Sequence, residues 1–300
     1  MVRRILSLRA GRLAFGILFF IGLLAILGPL LAPHDPLATT SKTLAPPSAQ
    51  YWLGTDYLGR DTFSRLLAGS RISVLGSVEV ALVALAVGVI PGLLSVYLGR
   101  VFEWTSLRLA DTLIALPFLV FAVAVTALLG NGITQAMLVV GVLVSPVFYR
   151  VSRAATLAVA RSQYVEAALI SGASVGWIVR RHVWVKVLPA IAVALAQTIG
   201  VGFIVVSSLS FLGIGVQPPA PTWGGMLASD LNYLHYQPWA PVAPAALIVL
   251  TVWGCNLLAD AIRDVSGESG RALVNAGKAR ANQDINRDRG KQPLPVESRA

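Results

Sequence analysis

"LAFGILFFIGLLAILGPLL", Leu13 to Leu31, carries no charged side chain along its 19 residues. As helix it would extend about 28 Å, close to the ~30 Å hydrocarbon core of a bilayer. Outward from it, further apolar runs recur. They are Ile72–Leu98 (interrupted by Glu79), Leu113–Leu129, Ile133–Tyr149, Val187 to about Leu212, and about Val242 to Leu258. The expected fold is therefore all-α: a polytopic transmembrane bundle of six spans. Composition agrees, since 56% of the 300 residues are hydrophobic, only 13% are charged, and mean hydropathy is +0.72. An ordinary soluble domain is far more polar. Pro91 and Pro117 are expected to kink their spans, and Pro146 to end or bend the fourth.

Charge sets the expected orientation. With the N-terminus in the cytoplasm, Lys42, Arg60, Arg65 and Arg71 are the basic residues left outside, among 24 in total. The others gather in the N-terminal segment, the inner loops and the C-terminal tail, which is the positive-inside pattern with both termini cytoplasmic. The net charge of +10 thus reflects topology, and nucleic acid is not an expected partner. The first run is too long for a signal-peptide core, and "LLAPHDP" has no small-x-small cleavage site, so it reads as a retained span. Cys255 stands alone in the last span, which excludes a disulfide framework and suits a small packing residue.

Three regions follow. Residues 1–71 hold the first span, an extracytoplasmic loop and, over 52–71, an amphipathic helix expected at the outer membrane surface. Asp61 and Arg65 are spaced there for an i,i+4 pair. Residues 72–264 form the core, with a cytoplasmic loop at 150–186. Residues 265–300 are polar and aromatic-free, and are expected to be a disordered tail. A second external segment, Gly213–Pro241, is rich in Pro and Gly. It is expected to carry a surface helix from about Met226 to Leu234, with Trp223, Tyr233, Tyr236 and Trp239 at the interface.

Motifs for catalysis are missing. There is no phosphate-binding glycine loop, no H-E-x-x-H, no Cys/His cluster and no nucleophile elbow. No catalytic, cofactor-binding or metal-binding residue is assigned, and the chain is not expected to be an enzyme. Polar groups inside the spans are candidates for a translocation path: Glu79, Gln197, Ser207 and Ser208. Each has a structural alternative, a snorkelling or helix-pairing role for Glu79 and interhelical hydrogen bonding for the others.

The loop from Arg150 to Lys186 reads as two helices. The first covers about Val151 to Ser171, with Gly172 as its stop and Ser174 as N-cap of the second. Val175, Ile178, Val179 and Val183 share one face of the second helix. Trp177 and Trp184, seven apart, share a neighbouring face beside Arg180 and Arg181. Small Ala167, Ala168 and Gly172 would let another surface approach closely, so the loop reads as a docking element for a soluble partner.

"EAALISG", Glu166 to Gly172, resembles the E-A-A-x-x-x-G core of the EAA loop in permease subunits of bacterial ABC importers. "WLGTDYLGRDTFSRLLAGSRIS" (52–73), "SFLGIGVQPPAPTWGGML" (210–227) and "NLLADAIRD" (256–264) resemble the C-type permeases of dipeptide and oligopeptide importers, a family that includes nickel permeases. The resemblance spans about Trp52 to Asp264. It departs at Trp184-Val185, where the family usually has Leu-Pro. It implies an inner-membrane permease coupled through Glu166, Ala167, Ala168, Gly172, Trp177, Arg180 and Arg181 to an ATPase. The implied partners are a second homologous permease, one or two ATP-binding subunits, an extracytoplasmic substrate-binding protein and membrane lipid. Peptide is the implied substrate, with nickel or another small solute as the alternative. A different class, an ion-coupled secondary transporter using Glu79, would work without an ATPase and predicts inverted repeats, which the sequence does not display.

Overall fold

The computed structural model describes residues 2–289 apart from Asn131, and among them the fold is helical throughout. A short α1 (Val2–Ile5) precedes α2 (Arg9–Leu31), and an irregular segment leads to α3 (Thr62–Leu94). Then come α4 (Arg100–Ala115), α5 (Phe118–Leu128), α6 (Ile133–Ala160), α7 (Gln163–Ile170) and α8 (Val175–Ile178). A π-helical turn, Val179–Val183, joins α8 to α9 (Trp184–Phe211); α10 (Trp223–Leu231) and α11 (Val242–Arg289) complete the order. Five helices are long and apolar enough to cross a membrane, six if the bent pair α4–α5 counts as one span.

At the centre, α3 runs parallel to α6. Paired contacts advance together along both helices, from Gly76 against Met137 to Gly88 against Ser145 and Gly92 against Ser152. Gly88 and Gly92 form a G-x-x-x-G step, the small-residue pattern that lets membrane helices approach closely. A Cβ on Gly88 would meet the Ser145 carbonyl oxygen at 2.3 Å. Helices α2 and α9 run antiparallel to α3, with Gly28 against Leu67 and Gly202 against Ser77. Cys255 of α11 is 2% exposed and packs against Gly200, the small-residue contact expected of it.

Several boundaries differ from the sequence expectation. The run Leu113–Leu129 is broken at Leu116-Pro117, and α4 and α5 meet at 96°. Pro117 lacks the N–H an uninterrupted helix would need. The 11 residues of α5 rise only about 16 Å, short of a bilayer core. Pro146 stays inside α6, which continues past Tyr149 to Ala160. No separate interfacial helix forms over 52–71: α3 starts at Thr62 and is unbroken to Leu94, and its 33 residues extend about 50 Å. Asp61 is its N-cap, accepting from the Ser64 N–H at 3.1 Å, so it is unavailable for the i,i+4 pair with Arg65. The helix expected at Met226–Leu234 lies at Trp223–Leu231, capped by Thr222, whose hydroxyl accepts from the Gly225 N–H at 3.0 Å. Helix α11 runs through 265–289, where a disordered tail was expected. Its Ala, Arg, Lys and Gln residues favour helix locally. Residues 290–300 lie outside the described part.

Candidate functional site

The EAA-type loop is built by three chain breaks. The first helix expected there, Val151–Ser171, is split: α6 ends at Ala160, and α7 begins at Gln163, with the Ser162 carbonyl accepting from Val165 and Glu166 N–H at 3.0 and 3.2 Å. Gly172 ends α7 in a left-handed conformation, φ +82°. Around it the Ala173 N–H reaches back to the Ala168 carbonyl at 3.0 Å, the six-to-one bond of a Schellman cap. Nothing lies within 4 Å of where a Gly172 Cβ would be, so backbone conformation alone selects glycine. Ser174 caps α8, as expected, by accepting from Trp177 N–H at 3.4 Å.

Buried and exposed faces divide the loop cleanly. Val165, Ile178, Val183 and Val187 are each at most 1% exposed and pack in one cluster with Leu93 of α3 and Phe148 of α6. At roughly 1.5–3 kcal/mol per buried aliphatic side chain, these anchors fix the loop to the ends of two spans. An aromatic clasp helps, with the His182 ring 5.8 Å from Tyr164 and 5.1 Å from Trp177. On the other side Glu166, Ala167, Ile170, Gly172, Trp177, Arg180 and Arg181 are exposed, with Ile170 at 82%. Glu166, Arg180 and Arg181 form no ion pair among the described residues. Ala168 is half-buried and packs on the cluster. The π turn inserts an extra residue, so Trp177 and Trp184 are offset by roughly a third of a turn instead of sharing a face. An exposed acidic, apolar and basic surface on a rigid base can receive a complementary partner and pass its displacement to α3 and α6.

The candidate path residues are not brought together. Glu79 is half-buried mid-way along α3, on a stripe with exposed Leu75, Leu82 and Ile90, and its carboxylate has no partner among the described residues. Gln197 is exposed and lines a groove between α6, α9 and α11 to which α3 contributes no residue. Ser207 is half-buried, with its carbonyl against Gly224, and Ser208 donates to the Ile204 carbonyl at 2.8 Å within its own helix.

Sequence reasoning missed a buried charge cluster at the opposite end of the bundle. Asp56 accepts from Arg60 Nε at 2.7 Å and faces Arg65 Nε at 3.4 Å, all three nearly buried. Asp230 of α10 shares a cavity of about 10 Å³ with them and with Thr62; its Oδ2 and the Thr62 hydroxyl are buried without partners. Burial, then the Asp56 charge, push the Asp230 carboxyl up to about 7 against the pull of Arg65. Trp223, expected at the interface, is 0% exposed and donates its indole N–H to the Leu66 carbonyl at 3.0 Å. Gln237 donates to the Ala45 and Thr55 carbonyls at 2.8 and 3.1 Å. The segment before α3 and the segment between α9 and α11 are thus tied into one cap. The dense "GTDYLGRD" turn, with Asp56 between two glycines and Arg60-Asp61 directly after the second, was the available signal.

With this geometry established, similarity to known proteins is informative. The family described as "Binding-protein-dependent transport system inner membrane component" matches residues 68–268, and "N-terminal TM domain of oligopeptide transport permease C" matches residues 1–47. The chain is 38% identical over 244 residues to the "Probable D,D-dipeptide transport system permease protein DdpC" of Escherichia coli K12, covering 81% of this chain and 82% of the relative. It is 38% identical over 218 residues to the "Glutathione transport system permease protein GsiD" of Pectobacterium atrosepticum, covering 73% and 72%. A solved inward-facing structure of the MetNI methionine ABC transporter shares the fold. It has TM-score 0.56 at 18% identity, over 67% of this chain and 96% of that one.

Proposed function

The chain belongs to the family of binding-protein-dependent transport inner-membrane components, and from that premise we propose that it is the permease subunit of an ATP-driven peptide importer. It is a multi-pass inner-membrane protein whose relatives are transport permeases. Peptide or a peptide-like solute is the substrate class, by analogy with relatives named for D,D-dipeptides and for glutathione. A second homologous permease, one or two ATP-binding subunits and an extracytoplasmic binding protein complete the machine in this reading.

The observation that carries it is the division of the EAA-type loop. Its exposed face, Glu166–Ala167 with Ile170, Trp177, Arg180 and Arg181, receives the ATPase. Its buried face, Val165 and Ile178, is set against the ends of α3 and α6. Closure of the ATPases moves the loop as a unit, and a packed core passes that movement on because it is not continuously deformable. Nucleotide selects between conformations only through contacts that differ between them. Glu79 on α3 and Gln197 on α9 are proposed to line the path once the second permease closes it, with Ser207 and Ser208 in supporting positions.

Glu166→Lys tests this. Uptake of labelled peptide in a deletion strain is expected to fall about tenfold or more, with membrane level unchanged and co-purifying ATPase reduced, because a lost charge-assisted contact costs roughly 1.5–3 kcal/mol. Normal uptake with normal ATPase retention would sink the assignment of the loop.

A further inference from the structure

The cap opposite the EAA-type loop encloses a cavity of about 10 Å³ between the start of α3 and α10. Most polar groups on its wall are committed elsewhere. Asp56 accepts from the Arg60 backbone N–H at 2.9 Å and from Arg60 Nε at 2.7 Å. Arg65 donates to the Pro36 carbonyl at 3.0 Å, and the Ser229 hydroxyl to the Gly225 carbonyl at 3.0 Å. Two groups are not committed. The Thr62 backbone N–H donates to the Gly54 carbonyl at 3.1 Å, but the Thr62 hydroxyl and Asp230 Oδ2 are buried with no partner in the chain. Thr62 is 2% exposed and Asp230 8%, and both line the cavity. Buried polar atoms of folded proteins are almost always hydrogen-bonded, to protein or to ordered water.

We propose that this cavity binds one water molecule, which joins Asp230 of α10 to Thr62 at the start of α3. Its volume is about the least that admits a single water, and a buried water needs roughly two to four polar partners. Thr62 and Asp230 supply two, and the guanidinium groups of Arg60 and Arg65 stand on the same wall. Ions fit worse. Arg60 and Arg65 outweigh the charge of Asp56, which repels a metal cation, and an anion such as chloride needs more room than one water. Burial holds the Asp230 carboxyl at about 7, so both of its forms are met near neutrality. Water donates to the carboxylate and accepts from the acid, which no ion does. The bridge adds a tie between α10 and α3 to the one that Trp223 makes with Leu66. The site uses only residues of the cap. Its failure therefore leaves the permease reading standing, and the reverse holds too.

The test uses the full chain with the subunits that accompany it. X-ray radiolysis turns a bound water into a hydroxyl radical that oxidises a nearby methionine to its sulfoxide, read by mass spectrometry. Met226 lines the cavity and is only 4% exposed, so radicals from bulk water reach it poorly. Met137, 1% exposed among apolar side chains, is the internal control. Met226 is expected to oxidise several times faster than Met137. Thr62→Val keeps the side-chain shape but removes one hydrogen bond to the water, and should cut Met226 oxidation about fivefold. Asp230→Asn, whose amide still bonds water, should keep most of it. A structure at a resolution that shows ordered water should place a single peak between Thr62 Oγ1 and Asp230 Oδ2, and this carries the test if Thr62→Val fails to fold. A cavity without that peak would overturn the proposal. So would Met226 oxidised no faster than Met137, or oxidation unchanged by Thr62→Val. Oxidation of Met226 that falls as sodium or chloride is raised would assign the site to an ion, and overturn it as well.

Discussion

Asp230→Asn is expected to stabilise the protein, and only at neutral to alkaline pH. Asp230 is 8% exposed, its Oδ2 has no partner, and the nearby carboxylate of Asp56 is already committed to Arg60 and Arg65. Raising its pKa from the ordinary 3.8 to about 7 means the folded state holds a proton that the unfolded chain releases. Stability from this group is therefore undiminished below about pH 4, falls as pH rises, and is fully lost above about pH 7. About three units correspond to an upper limit of ~4 kcal/mol. Asparagine removes the ionisation, so a net gain of about 1–3 kcal/mol is expected at about pH 8. The assay is the apparent thermal midpoint of the detergent-purified chain across about pH 5 to 8. The variant should lead by several degrees at the alkaline end and converge with wild type at the acidic end. A variant no more stable at about pH 8, or a wild type whose stability rises over that interval, would refute the reasoning.

The remaining predictions concern the loop and the helix contacts. Gly172→Val should destabilise the Schellman cap by roughly 1–2 kcal/mol and cut peptide uptake, whereas Gly172→Asn, tolerated in the left-handed region, should keep most uptake. Thermal midpoints and uptake of the two variants check this. Ile178→Ala should lower stability by about 2–5 kcal/mol because the side chain is 1% exposed, while Ile170→Ala, 82% exposed, should leave the midpoint unchanged and reduce ATPase co-purification. Gly88→Leu should prevent close approach of α3 and α6 and deplete folded protein in membranes. Gly16→Leu, with nothing within 4 Å of its Cβ, is the matched control whose level should not change.

Much of the architecture was legible because hydrophobic length is a local property. The runs beginning near Leu13, Ile72, Ile133, Val187 and Val242 all became helices able to span a membrane. Boundaries were harder, because capping and helix continuation depend on what the polar flanks meet. Asp61 starts α3 by capping, and α6 continues past Tyr149 because Ser152 and Thr156 bury against the core and bond back into the helix. In the loop, "EAALISG" identified the turn, and Gly172 and Ser174 sit at their expected positions, whereas Ala168, expected on the approach surface, is half-buried against the core. The π turn that separates Trp177 from Trp184 left no signal in residue spacing. Neither did the distance between Glu79 and the Gln197 groove.

What the sequence by itself determined was the membrane, the helices and the turn of the loop proposed to meet a partner. Each rests on composition, on spacing within a few turns, or on a motif of seven residues. Only the tertiary structure decided that Asp56 and Arg65 share a buried cavity with Asp230, that Trp223 is pinned to Leu66 157 residues away, and that Arg4 and Arg263 crown one groove. Those pairings join segments far apart along the chain. The physical reason is that burial alters a charge or a hydrogen bond only once packing has chosen its neighbours.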